Sequence, residues 1–157
     1  MKKNIVFLST YPPRACGIAT FTSDIVKNLK NKFSSNSYKI AAVNDENYKY
    51  TKDVAFTLNQ FDRKSYIHLA NILNNSDNNL VVLEHEYGIY GGDCGEYILD
   101  FVNNLNIPFI TTFHTILSMP SEKQKLILKT LGNKSQKVIT MGKSSIKILM
   151  NTYNIPE

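Results

Sequence analysis

Along the chain, short apolar and β-branched runs alternate with stretches whose apolar positions recur every three to four residues. That is the pattern of βαβ units on a parallel sheet. Residues 4–9 form an unbroken run that predicts a first, buried strand. Ile18, Phe21, Ile25, Leu29 and Phe33 then trace one face of a helix. Residues 38–43 predict a second strand and 54–58 a weaker third. Asp62 stands where it can cap a helix carrying Tyr66, Leu69, Ala70 and Leu73 on one side, and this helix runs out in the polar tract 74–79. Residues 80–83 read as the central strand, followed by a glycine-rich stretch and a helix with Ile98, Phe101, Val102 and Leu105 inward. A strand at 108–113 precedes Ser121-Glu-Lys-Gln124, the spacing of a capping box, which opens a helix with Leu126, Ile127, Leu128 and Leu131. A short strand at 137–141 and a last stripe of Ile146, Leu149, Met150 and Tyr153 complete the chain. The expectation is one α/β domain over 1–157, Rossmann-like and doubly wound on a mainly parallel sheet.

Composition narrows the class without naming a function. At 43% apolar and 20% charged residues the chain is an ordinary globular sequence, which excludes disordered and fibrous classes. Two cysteines, Cys16 and Cys94, are too few for a disulfide framework. No apolar run reaches the roughly 18 residues of a membrane span. The apolar run behind Lys2 and Lys3 breaks at Ser9-Thr10 and meets Pro12-Pro13, unlike an export signal, so a cytoplasmic location is expected. The net charge of +5 is local. Residues 1–119 hold 11 basic and 11 acidic side chains, while seven lysines against Glu122 and Glu157 carry the surplus over 120–157. Aromatic residues do not interleave with those lysines and no nucleic-acid motif is present, so no nucleic-acid partner is expected.

In doubly wound sheets, ligands bind beyond the carboxyl ends of the strands. Three loops with unusual chemistry fall at those ends. The first, Ser9-Thr-Tyr-Pro-Pro-Arg-Ala-Cys-Gly-Ile-Ala-Thr20, holds Arg14 out from the strand and places Gly17 at the start of the next helix. There, bare amides and the helix dipole would meet a phosphate or carboxylate; a plain tight turn is the other reading. The second loop begins Glu84-His-Glu86 and continues Tyr87-Gly-Ile-Tyr-Gly-Gly-Asp-Cys-Gly95. His85 and Glu86 are polar where a buried strand ends. No second histidine follows in zinc-protease register, and Asp93, Cys94 and His114 add donors without ligand spacing, so no metal is expected. The third loop, Thr111-Thr-Phe-His-Thr115, places His114 where it could orient a hydroxyl or move a proton. His68 reads as a surface residue. The dinucleotide fingerprint G-x-G-x-x-G is missing after the first strand, and Lys137 occupies the position where a P-loop ending at Gly142-Lys-Ser144 needs glycine.

Taken together, residues 9–21, His85-Glu-Tyr-Gly-Ile-Tyr-Gly-Gly92 and Thr111-Thr-Phe-His-Thr115 resemble the amino-terminal half of family 4 (group 1) glycosyltransferases. The likeness runs on through Pro120-Ser121 to Tyr153-Asn-Ile-Pro156. It implies a retaining hexosyltransferase of the GT-B architecture, moving a hexose such as mannose or glucose from a nucleotide-sugar to a sugar or lipid-linked acceptor. By the same resemblance, Cys16-Gly17 matches the glycine loop near the donor phosphates, where many relatives have a glycine pair. His114 matches a histidine facing the reacting sugar. His85, Glu86 and Tyr87 match cleft residues near the acceptor, with Arg14 a further contact, and Gly91 and Gly92 of the same motif are expected among the substrate- or donor-binding residues. No divalent metal or other cofactor is implied beyond the nucleotide-sugar co-substrate. The family's carboxyl-terminal nucleotide-sugar domain is not among these residues, so the expectation is a fragment, silent alone, that works with that domain in cis or in trans. The basic stretch 120–147 would then lean weakly on anionic lipid at the inner membrane face. The alternative is a non-catalytic ligand- or partner-binding module on a Rossmann-like scaffold.

Overall fold

The computed structural model describes residues 2–156. Six strands form one sheet: β1 (Asn4–Ser9), β2 (Ser37–Asn44), β3 (Val54–Asn59), β4 (Leu80–His85), β5 (Phe109–Phe113) and β6 (Lys137–Thr140). Their order is β3-β2-β1-β4-β5-β6 and every pairing is parallel. The helices are α1 (Gly17–Lys32), α2 (Arg63–Asn74), α3 (Ile98–Asn104), α4 (Glu122–Lys134) and α5 (Lys143–Tyr153). This is the expected doubly wound α/β fold, with a sheet wholly parallel among the described residues.

Strand alternation builds two cores. Val6, Leu8, Ala41, Val43, Val81 and Leu83 pack on one face against the buried residues of α2 to α5. Phe7, Ile40, Ala42 and Val82 pack on the other against Val26 of α1. Asp62 caps α2 by accepting from the Lys64 amide, and Tyr66, Leu69, Ala70 and Leu73 are all buried. The Ser121–Gln124 capping box forms in both directions, closing the amides of α4. Four residues of the expected stripes depart from them. Phe33 and Leu105 fall just beyond the ends of α1 and α3, and Leu126 and Met150 face solvent on α4 and α5.

The basic end is less bare than its lysine count suggests, because Lys123 Nζ lies 3.0 Å from an Asp93 carboxylate oxygen and 2.9 Å from one of Glu96. No helix among the described residues is long and apolar enough to cross a membrane.

Candidate functional site

Strand order reverses between β1 and β4, so the crevice at their carboxyl ends is the topological switch point of the sheet. Side chains alternate there. Glu84 and Thr112 sit in register on the α1 face, while His85 and Phe113 are paired one position further on and point to the opposite face.

On the α1 face, Glu84 Oε2 lies 2.8 Å from His114 Nε2. The carboxylate side chain is only 1% exposed. The Phe21 and His114 rings meet in a T-shape at 4.8 Å and 90°, and the Ser9 and Thr22 hydroxyls join at 2.7 Å. The His114 amide donates to the His85 carbonyl, which fixes the backbone where β5 ends. Glu86 braces the neighbouring turn: one carboxylate oxygen accepts from the Tyr87 amide at 2.9 Å and the other from the Thr115 hydroxyl.

The start of α1 borders this pair through Phe21. Cys16 is the N-cap; its Sγ accepts from the Ala19 amide at 3.4 Å and sits 3.1 Å from the Thr10 hydroxyl. Among the described residues no protein acceptor meets the Gly17 or Ile18 amide. A Cβ built on Gly17 would touch nothing within 4 Å. Packing therefore does not require glycine here, and its absence of a side chain leaves the helix end open to an anion.

Other expected residues have different surroundings. Arg14 is 11% exposed and engaged. Its guanidinium donates to the Val43 carbonyl at 3.1 Å and to Gln60 Oε1 at 2.9 Å, and pairs with Asp45 at 3.1 Å. It ties the first loop to the ends of β2 and β3. His85 is completely buried under the rings of Tyr87, Tyr90 and Phe113, with centroids 5.1, 6.1 and 5.6 Å away. Burial, with a smaller contribution from nearby His114, lowers its pKa to about 3, so the ring is neutral. Half-buried Tyr87 packs its ring edge against His85, and burial raises its phenol pKa. A Cβ on Gly91 would collide with the Gln60 carbonyl, and Gly92 adopts φ +81° against the Tyr97 ring. Both glycines serve the shape of the loop. Among the described residues no group of three or more His, Cys, Asp or Glu side chains could hold a metal ion.

Glu84 is not among the residues the sequence motifs single out, although strand periodicity alone puts Glu84 and Glu86 on the face opposite His85. Gln60 and Asp45, which hold Arg14, give no local signal because their partner lies more than 30 residues away in the chain.

No family model matches the chain, and no curated protein matches it by sequence. Solved structures do match. An α-glucosyltransferase in complex with UDP and a 13-mer DNA containing a HMU base superposes with a TM-score of 0.63 and 11% identity, covering 89% of this chain and 38% of that one. The chain has a glycosyltransferase-like Rossmann fold. It spans well under half the length of that enzyme, and the likeness does not single out family 4. Homoserine dehydrogenase of S. aureus matches at TM-score 0.45 and 16% identity, over 89% of this chain and 32% of that one. A short chain dehydrogenase family protein from Francisella tularensis matches at 0.43 and 11%, over 98% and 76%. Scores of that size carry no functional argument.

Proposed function

We propose that this chain supplies one side of a glycosyl-transfer centre, the acceptor-side half of a retaining hexosyltransferase. The observation that carries the reading is the open amide end of α1 at the switch point, on the helix whose Phe21 ring contacts a histidine paired with a buried carboxylate. Sugar transfer from a nucleoside diphosphate builds negative charge on the leaving diphosphate. Bare amides at a helix start stabilise such charge, and they need no metal ion to do so. With Glu84 ionised, His114 Nε2–H donates to it, and Nδ1 is then the ring atom that accepts a hydrogen bond from a sugar hydroxyl. Phe21 against the ring and the His114–His85 backbone bond hold that orientation before substrate arrives.

The nucleotide-binding counterpart, in cis or in trans, completes the cleft in this reading. The partners are a nucleotide-sugar and a sugar or lipid-linked acceptor, and the basic stretch 120–147 rests on anionic lipid. Family 4 membership rests on the three loop motifs.

The test pairs the chain with a carboxyl-terminal glycosyltransferase domain and assays hexose transfer from a panel of nucleotide-sugars. Transfer is expected only with both halves present, and Gly17→Val abolishes it. A well-folded complex with no transfer from any donor contradicts the proposal.

A further inference from the structure

Between the end of β3 and the glycine-rich loop the surface opens into a cavity of about 420 Å³, within the range of small-ligand sites. Its walls come from Gln60, Phe61, Tyr87, Gly88, Tyr90 and the turn to Gly95, and no lining residue carries a charge. Three features of this cavity are not explained by folding. Phe61 is 66% exposed, an aromatic ring left at the wall of an open cavity. Gly88 has no left-handed φ, and a Cβ on it would meet nothing within 4 Å, whereas Gly91, Gly92 and Gly95 are each compelled by close packing or a positive φ. Gln60 is nearly buried. Its Oε1 accepts from Arg14, and its Nε2 donates one hydrogen to the Gly88 carbonyl at 3.2 Å, which leaves the second amide hydrogen without a protein acceptor among the described residues.

These features describe a complementary ligand. An exposed aromatic face suits the apolar face of a ring, and neutral amide groups suit hydroxyls. Arg14 is already satisfied by Asp45, Gln60 and the Val43 carbonyl, so among the described residues no free cation lines the cavity to receive a phosphate or carboxylate. We propose that the Phe61–Gly88 cavity is a subsite for an uncharged pyranose, stacked on Phe61 with its hydroxyls toward Gln60 and the bare backbone of Gly88. The glycosyl-transfer reading is needed only to call this sugar the acceptor. Through Gln60 and Arg14 the subsite is hydrogen-bonded to the loop that ends at Gly17, so its occupancy bears on the first loop.

The experiment follows amide shifts of the ¹⁵N-labelled chain during titration with methyl α-D-glucopyranoside and with methyl α-D-mannopyranoside. Uridine, sodium phosphate and UDP-glucose are added separately. At least one methyl glycoside is expected to shift Gln60, Phe61 and residues 88–95. Phe61→Ala and Gly88→Ala weaken that response about tenfold, the size of one lost ring contact or a filled cavity. Neither substitution touches the core, and an unchanged amide spectrum elsewhere verifies the fold. Glycosides that leave these amides unmoved, or that act equally on both variants and the parent, overturn the subsite. A response to uridine or phosphate in place of the glycosides overturns it as well. The UDP-glucose arm reads the amides of Gly17 and Ile18: loss of that response alone removes the glycosyl-transfer reading and leaves the sugar subsite standing.

Discussion

His114 Nε2 and Glu84 Oε2 stand 2.8 Å apart at the carboxyl ends of two adjacent central strands, with the carboxylate almost wholly buried. Removing either partner has unequal consequences. His114→Ala strands a buried carboxylate and is expected to cost about 3 kcal/mol, whereas Glu84→Gln keeps an acceptor for the ring and costs about 1 kcal/mol. Adding Glu84→Gln to His114→Ala restores part of the loss. Urea denaturation of the three variants measures this, and equal costs for the two single changes would show that the pair is not coupled as described.

His85 makes a prediction about acid. Its folded pKa of about 3 lies below the ordinary value of 6.5 because burial penalises the charged ring. Above pH 6.5 both folded and unfolded chains hold it neutral, and its full contribution to stability is present. As pH falls toward 3 the unfolded chain takes up a proton that the folded chain refuses, so stability drops by up to about 1.4 kcal/mol per pH unit from this group. Neither ring nitrogen has a hydrogen-bond partner among the described residues. His85→Phe therefore sacrifices no bond among Tyr87, Tyr90 and Phe113, and is expected to be neutral or stabilising at pH 7 and to flatten the acid slope. Denaturation midpoints between pH 4 and pH 7 read the difference.

Gly17 sets stability against binding. Because a Cβ there meets nothing, Gly17→Ala should raise stability by about 0.5 kcal/mol, by restricting the unfolded chain. The same methyl crowds the open amides and weakens binding of UDP-glucose. A thermal melt and a nucleotide titration on one sample check both halves, and a variant that binds as well as the parent would argue for a plain turn.

Gly91 behaves in the opposite way. Its amide donates to the Tyr66 hydroxyl at 2.9 Å, that hydroxyl donates to the Gln60 carbonyl at 3.0 Å, and a Cβ would collide with the same carbonyl. Gly91→Ala is expected to destabilise the domain by about 3 kcal/mol, at the upper end for overpacking, since backbone must move. Gly88→Ala, a few residues away, is expected to cost close to nothing. Chemical denaturation of the two variants side by side separates them.

The fold was legible wherever periodicity was strong. Residues 4–9 and 80–83 announced their strands, and Asp62 and Ser121 announced their caps, because the cause of each lies within a few residues of its effect. The site was legible only in part. His114 and Gly17 stood out as odd residues at strand ends. His85 stood out for the same reason and lies in the core, because an imidazole among aromatic rings packs well once it stays neutral. Arg14 read as a further contact of the cleft held out from the first strand, and its partners Asp45 and Gln60 become neighbours only when β2 and β3 join β1. Glu84 was within reach: counting alternate residues along β4 puts it beside the end of β5, where His114 waits.

The most direct test is the response of the ¹⁵N-labelled chain to UDP-glucose and GDP-mannose. Shifts at the Gly17 and Ile18 amides and at the His114 side chain, abolished by Gly17→Val in a chain that keeps its fold, are the predicted result. Shifts confined to other surfaces, or unchanged by Gly17→Val, would contradict the assignment of this edge to glycosyl transfer.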